Sequence, residues 1–182
     1  MPTGRGTLRA TLIGLLAALA IGPASLPATA APADGQVGPS GLPVPRFVSL
    51  KSERVNVRSG PNRDNQVDWV YTRTGLPVEI IGEYDNWRHI RDWEGSEGWV
   101  LHSLLSGKRT ALVAAVAKKV DDFVPIRSSA DLTSTVSARL QSGVLAIVKR
   151  CDGKWCRITG KGFDGWIEEE RLWGVYPSEK VD

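Results

Sequence analysis

The residues best suited to chemistry in this 182-residue chain are two cysteines, two histidines and a run of three glutamates. A cysteine hydrolase needs a thiolate beside a histidine that a third group orients. His89 and His102 both precede Cys151 and Cys156, and no orienting group accompanies them. The histidines lie far from the cysteines in sequence and lack the paired spacing that zinc modules show. We therefore expect a protein that is not an enzyme and that holds neither a metal nor a cofactor.

These residues lie within an internal repeat of the sequence. The stretch Val55–Pro61 reads Val-Asn-Val-Arg-Ser-Gly-Pro, and an altered form of it returns at Ile126–Ser129. Further landmarks recur in the same order and at nearly the same spacing: Gly75, Trp87, Ile90 and Gly98-Trp99-Val100 in the first copy, Gly143, Trp155, Ile158 and Gly165-Trp166-Ile167 in the second. Self-similarity at a fixed period is typical of tandem structural units. The sequence therefore predicts two copies of one unit.

Each copy has the pattern of short antiparallel strands. Val55 and Val57 alternate with Asn56 and Arg58, which is the period-two pattern of a half-buried strand. Turn signals separate several such runs and no long helical period occurs, which predicts a small antiparallel barrel. The composition of Ala111–Lys119 favours a helix, but the repeat requires strands there, and we predict strands. The short connection predicts a fixed orientation of the two copies.

These motifs resemble those of the bacterial SH3-like (SH3b) module. The resemblance is carried by the opening V-N-V-R-S-G-P, a mid-repeat G-x-x-V, a W-x-x-V/I strand and a closing G-W-V. Residues 46–110, here called module one, match it closely. Residues 111–178, module two, are divergent, because Phe123–Arg127 replaces the V-N-V-R run and Ala130 stands in place of Pro61. The resemblance implies an all-β fold of two tandem small SH3-like antiparallel β-barrels after a signal peptide.

The resemblance also implies a function, namely that of an exported, non-catalytic binding protein that recognises peptide or glycan of the cell-wall peptidoglycan. One alternative is an interaction scaffold, in which a groove holds an extended segment of another envelope protein. The other is an envelope hydrolase, whose paired carboxylates would come from Glu168–Glu170. Because this run lies where the resemblance places a 3₁₀ turn, and a small barrel offers little cleft, we expect the glutamates to form a solvated face.

The N-terminal segment has the zones of an export signal. Arg5 and Arg9 precede the apolar run Ala10–Ile21, which is shorter than the ~20 residues that span a bilayer. Ala28-Thr29-Ala30 offers small residues to a signal peptidase, which predicts a signal peptide over residues 1–30. Residues 31–45 are rich in Pro and Gly and predict a disordered linker. The protein is thus expected in the periplasm or secreted, with no transmembrane segment after cleavage.

The charge balance argues against a nucleic acid partner. Removal of the signal takes away Arg5 and Arg9 and no acidic residue, so the formal net charge falls from +3 to +1. The remaining charges divide almost evenly between the two modules. Nucleic acid binding requires a concentrated basic face that neutralises phosphates. The expected partners are therefore cell-wall peptide or glycan, or an envelope protein.

The repeat predicts where the two cysteines lie. When Trp155 is paired with Trp87, the two-residue loop of a hairpin falls at Gly153-Lys154, and Cys151 faces Cys156 across the strands. An exported chain with an even number of cysteines favours pairing, so we predict a Cys151–Cys156 disulfide. In module one the same positions are Glu83 and Arg88, which are opposite charges. The alternative is a pair of half-buried free thiols.

The tryptophans divide into shared and unshared positions. Trp87, Trp99, Trp155 and Trp166 recur in both copies, so we expect them to serve packing or a groove floor. Trp69, Trp93 and Trp173 have no counterpart in the other copy. Aromatic residues that the shared fold does not require are the better candidates for ligand contact.

We predict an aromatic ligand site in module one. Trp69 and Tyr71 share one face of a strand under period-two geometry, and Trp93 lies in an exposed connection. The predicted site is a shelf of Trp69, Tyr71 and Trp93, with a nearby arginine that binds a ligand carboxylate; the candidates are Arg58, Arg73 and Arg91. The alternative is that these rings cover the barrel end or the contact between modules.

Overall fold

The structure is a computed structural model that describes residues 36–113 and 123–182. The predicted signal peptide, residues 31–35 and most of the Ala111–Lys119 segment lie outside the described residues. Within the described ranges the secondary structure consists of strands and two 3₁₀ turns. No helix in this part of the chain is long and apolar enough to cross a bilayer.

Module one contains seven strands. They are β3 Arg46–Leu50, β4 Val55–Arg58, β5 Val67–Tyr71, β6 Pro77–Tyr84, β7 Trp87–Arg91, β8 Glu97–Leu101 and β9 Leu105–Ser106, with a 3₁₀ turn at His102–Leu104. Two shorter strands precede them, β1 Gln36–Val37 and β2 Pro43–Val44.

Module two repeats this set of elements. Its strands are β10 Thr110–Val113, β11 Phe123–Arg127, β12 Val136–Gln141, β13 Leu145–Asp152, β14 Trp155–Gly160, β15 Phe163–Glu168 and β16 Leu172–Trp173, with a 3₁₀ turn at Glu169–Arg171. A last short strand, β17 Lys180–Val181, pairs with the hairpin end of β13. The predicted strand at the start of the Ala111–Lys119 segment is confirmed by β10.

The two antiparallel sheets have the same strand order. In module one the order is β5-β4-β8-β7-β6-β3-β9, and in module two it is β12-β11-β15-β14-β13-β10-β16, so each strand corresponds to the one seven places later. This identity of topology confirms the tandem repeat and the all-β fold of curled antiparallel sheets.

Alternating residues of these strands fill one core in each module. Val55 and Val57 in β4 are fully buried, and so is Ile126 in β11 at the position of Val57. The polar neighbours Asn56 and Arg58 face outward, as the period-two pattern predicts. The repeated motif is therefore a determinant of the fold, because its apolar side chains fill the barrel.

Aromatic contacts fix the modules against each other. The ring of Phe47 in β3 lies 5.2 Å from that of Trp173 and 4.6 Å from that of Tyr176. The Tyr176 hydroxyl donates a hydrogen bond of 2.8 Å to Glu79 in module one. At Gly174, whose φ is +117°, a side chain would meet the backbone of Thr110 and the ring of Pro77. The predicted fixed orientation is confirmed by these contacts.

This interface also places Trp173, which the sequence made a candidate for ligand contact. Trp173 packs against the core of module one together with Leu112 and Leu145. Its role in the structure is to hold the two modules together. Comparison of the two copies did not predict this role, because a residue without a counterpart can lie either at a ligand site or at the contact between the modules.

The linker prediction is wrong for residues 36–45. Strand β1 pairs with β2, and the backbone N–H and the hydroxyl of Ser40 donate hydrogen bonds of 2.9 and 2.8 Å to Glu83. The guanidinium groups of Arg46 and Arg88 lie 2.7 and 3.1 Å from the same carboxylate. These bonds order a segment that has little apolar surface of its own.

The attachment of this N-terminal hairpin should depend on pH. Burial disfavours the Glu83 carboxylate, but the Ser40 N–H, the Arg46 guanidinium and the Ser40 hydroxyl outweigh burial and lower the pKa of Glu83 from 4.5 to about 2. A lowered pKa in the folded state stabilises the fold above pH 4.5, and this stabilisation is lost as the pH falls towards 2. The Ser40 amide resonance in NMR spectra should report this loss.

The matched variants are Glu83→Gln and Glu53→Gln, the second at an exposed position. Glu83→Gln should shift the Ser40 resonance already at neutral pH and remove its dependence on pH, whereas Glu53→Gln should leave both unchanged. A Ser40 resonance that responds to pH alike in all three proteins would contradict the attachment.

Candidate binding site

The cysteines form the predicted disulfide across a hairpin. Cys151 faces Cys156 across β13 and β14, and a disulfide joins them with their Cα atoms 4.1 Å apart. Both residues are buried. At the same rung of module one, Glu83 faces Arg88. The disulfide prediction is confirmed, and the pair serves the hairpin of module two.

Removal of the disulfide should destabilise module two modestly. Because the closed loop is short, the entropy lost by the unfolded chain stabilises the fold by about 2 kcal/mol. The double variant Cys151→Ser/Cys156→Ser should therefore unfold at lower urea concentration than the oxidised wild type. The reduced wild type should resemble the variant. Equal urea midpoints of the wild type with and without reductant would contradict a stabilising role of the disulfide.

Module one brings the three predicted aromatic residues together. The Tyr71 ring lies 6.1 Å from the Trp69 ring, edge-on at 89°, and 6.1 Å from the Trp93 ring at 43°. Tyr71 is buried, and Trp93 is 39% exposed. The rings line a groove of about 430 Å³ together with Asp92, Glu94 and Ser96. We call these six residues the shelf.

The register of the sheet explains why these rings meet. Val55 pairs with Tyr71 and Val57 with Trp69, so both rings lie on the inward side of β5. In module two the same register pairs Val124 with Leu140 and Ile126 with Ala138. Module two thus has neither ring, and the shared fold does not require them.

Asp92 holds the shelf in place from a buried position. Its side chain accepts hydrogen bonds from the Tyr71 hydroxyl at 2.7 Å and from the backbone N–H groups of Glu94 and Ser96 at 2.9 Å each. Asp92 is only 4% exposed. Burial, and then the hydrogen bond to Asp92, raise the pKa of Tyr71 well above its usual range, so its phenol stays protonated.

Asp92, Glu94 and Ser96 were missed by the sequence reasoning. The run Asp92-Trp93-Glu94-Gly95-Ser96 contains a signal that could have found them. An aspartate whose side chain accepts from backbone N–H groups two and four residues later is a common turn device, and Gly95 supplies the positive φ of 86° that closes this turn.

The structure does not bring the predicted arginines to the shelf. Arg58 donates to the carbonyl of Asn65 at 2.6 Å, and Arg127 makes the equivalent bond to Ser134 at 2.8 Å. Because both copies have this bond, we assign it to the loop that follows the opening motif. Arg91 pairs with Glu79 at 2.7 Å, and Arg73 is exposed and not part of the lining.

The charge of the shelf is therefore opposite to the expected one. Of the described residues, those that line it include two carboxylates and neither an arginine nor a lysine. The arginine-lined groove of module one, about 280 Å³, is separate; its lining includes Arg54, Arg58, Arg63 and Trp87.

The groove of module two that corresponds to this arginine-lined groove is larger and acidic. This groove of about 830 Å³ is lined by Trp155, Leu132, the three glutamates and part of the C-terminal segment. Glu169 is buried and accepts a hydrogen bond of 3.0 Å from the N–H of Glu179, and burial raises its pKa. The expectation of a solvated face is wrong for Glu169, because the C-terminal segment lies over it.

Comparison with known proteins gives the family. The chain matches the bacterial SH3 domain over residues 51–107 and 120–174, which together are more than half of its length. The protein belongs to the bacterial SH3 domain family, with two tandem modules.

Solved structures of two proteins from Trichomonas vaginalis are also similar. NlpC2 is 18% identical, with 71% of this chain and 48% of that chain covered and a TM-score of 0.33. NlpC1 is 18% identical, with 83% and 51% covered and a TM-score of 0.32. The present chain thus spans about half the length of these proteins. No curated protein is significantly similar to it in sequence.

Proposed function

We propose that the protein is an exported, non-catalytic binding protein of the cell envelope that holds peptide or glycan of the peptidoglycan at the shelf of module one. The observation that carries this proposal is a group of three aromatic rings that one copy has and the other lacks. Tyr71 belongs to the core of module one and Trp69 packs against it, but the barrel of module two forms with Leu140 and Ala138 at these positions, so the shared fold does not require the rings. Membership of the bacterial SH3 domain family supports the cell wall as the source of the ligand.

The size and lining of the shelf suit a small portion of a larger ligand. A groove of about 430 Å³ lies in the range of ~300–1,000 Å³ that small-molecule sites occupy. Its aromatic faces can cover apolar parts of a peptide or a sugar, and its polar rim can fix their orientation. Trp93, the most exposed ring, is expected to contribute most of the affinity.

The cysteines and one of the two histidines make contacts within the fold. Both thiols are joined in the disulfide of module two. His89 stacks on Trp99 with the ring centroids 4.9 Å apart, and its Nε2 atom lies 3.6 Å from Glu97. Within residues 36–113 and 123–182, no group of three or more His, Cys, Asp and Glu could hold a metal ion.

Sedimentation with purified insoluble peptidoglycan tests the proposal. The mature protein should sediment with the wall material. Trp93→Ala should weaken this retention by about tenfold, as expected for an aromatic ring that the bound ligand covers. Because Trp93 is 39% exposed, the variant should unfold within about 0.5 kcal/mol of the wild type.

The matched control is Tyr84→Ala, which removes an aromatic ring that is 61% exposed and lies outside the shelf. It should bind the wall like the wild type. Equal retention of all three proteins, or none by the wild type, would refute the proposal.

The acidic groove of module two favours a second candidate, an interaction scaffold. Its apolar wall of Trp155, Leu172 and Val175 and its acidic rim suit an extended basic segment of an envelope protein. Capture of one envelope protein, lost on Glu168→Gln/Glu170→Gln and without wall retention, would favour this role.

A further inference from the structure

We propose that the shelf binds a primary ammonium group of its ligand, such as the free amine of a peptide side chain. This inference rests on the proposed function and names the chemistry of the same site. It replaces the carboxylate ligand that the sequence predicted.

The aromatic part of the shelf suits a cation. A cation within about 6 Å of the centre of an indole or phenol face is attracted by the electron-rich face of the ring. Trp69 and Trp93 both contact Tyr71, and the three rings line one groove. An ammonium group that enters this groove can therefore contact more than one ring.

The acidic part of the shelf has the matching charge. Asp92 is buried in the lining of the groove, and both of its carboxylate oxygens accept hydrogen bonds, one of them from the Tyr71 hydroxyl. Burial raises the pKa of Tyr71 most, followed by the hydrogen bond to Asp92, and the negative charges of Asp92 and Glu94 add to these effects.

Glu94 is the side chain available to pair with the ligand. Its backbone N–H is held by Asp92 at 2.9 Å, whereas its carboxylate is exposed and makes no ion pair or hydrogen bond with another described residue. The basic side chains closest in sequence are engaged or outside the lining, since Arg91 pairs with Glu79. A carboxylate ligand would meet like charge here, and an ammonium group meets opposite charge.

A pair of small probes tests the inference directly. Nα-acetyl-lysine amide carries the ammonium group, and Nα,Nε-diacetyl-lysine amide has the same backbone and no charge. The first should bind at least about fivefold more tightly than the second, as monitored by tryptophan fluorescence. Equal binding of the two probes would overturn the inference.

Matched variants locate the effect. Glu94→Gln removes the carboxylate and keeps the size of the side chain, so it should weaken binding of the charged probe about threefold more than binding of the neutral probe. Glu53→Gln makes the same charge change at an exposed site outside the shelf and should have no effect. Equal losses in the two variants would contradict a contact at Glu94.

Acetylated peptidoglycan separates this inference from the proposed function. If acetylation of the wall amines abolishes retention of the protein, both statements are supported. Retention that acetylation leaves unchanged overturns the ammonium ligand and keeps the wall-binding function. Binding of the lysine probe without retention on untreated wall keeps the ammonium site and overturns the wall-binding function.

Discussion

Replacement of Phe47 by alanine is expected to lower the free energy of unfolding by about 3–5 kcal/mol and to separate the unfolding of the two modules. Phe47 is 8% exposed and packs on Trp173 and Tyr176, which both belong to module two. Loss of this ring leaves a cavity at the junction. Each module of about sixty residues has a small core and is marginally stable alone, so the junction matters for both.

Calorimetry provides the measurement. The wild type should unfold in one transition, and Phe47→Ala in two transitions or in one at much lower temperature. The matched control Tyr176→Phe keeps the ring and removes only the hydrogen bond to Glu79, which should cost about 1 kcal/mol. A single transition in Phe47→Ala at the wild-type temperature would show that the modules are stable without this contact.

Replacement of Asp92 by alanine is expected to have the largest combined effect on stability and binding. The Asp92 side chain accepts three hydrogen bonds, and its removal leaves the buried Tyr71 hydroxyl without its acceptor. We expect a loss of about 3 kcal/mol in the free energy of unfolding. The turn that presents Trp93 loses its anchor as well, so wall retention should fall at least as far as in Trp93→Ala.

Two further variants separate these effects. Tyr71→Phe keeps the ring and removes one hydrogen bond, so it should lose about 1–2 kcal/mol of stability and retain most of the binding. Trp93→Ala should lose binding and retain stability. If Asp92→Ala unfolds within about 0.5 kcal/mol of the wild type, the hydrogen bonds of Asp92 do not support the shelf.

The features of the fold that recur between copies could be predicted from the sequence. The register of Trp155 with Trp87 predicts the Gly153-Lys154 loop, and the loop in turn places Cys151 opposite Cys156. This inference succeeds because it uses only local geometry, namely a two-residue turn and the alternation of side chains along paired strands.

The predictions that were wrong concern features that depend on contacts between distant parts of the chain. The hairpin of residues 36–45 is held by hydrogen bonds from Ser40 to Glu83, and no hydrophobic pattern marks such a segment. Glu169 is buried by the C-terminal segment, which the repeat does not include. Sequence periodicity describes strands and does not describe what covers them.

The aromatic part of the shelf could be predicted and its charge could not. Period two places Trp69 and Tyr71 on one face of β5. The partner of Tyr71 is Asp92, twenty-one residues later, and this pairing depends on how the turn after β7 folds back over the sheet. The sequence instead suggested Arg58, Arg73 or Arg91 as the charged partner, and none of them lines the shelf.

The most direct test of the central claim, that the shelf of module one binds the wall ligand, uses the seven tryptophan indole N–H signals as reporters in NMR spectra of labelled protein. Soluble peptide-bearing fragments of peptidoglycan would be added in increasing amounts. The signals of Trp69 and Trp93 should shift in a saturable way, while those of Trp99 and Trp166 stay in place. Shifts confined to tryptophans outside the shelf, or no shift at all, would contradict the claim.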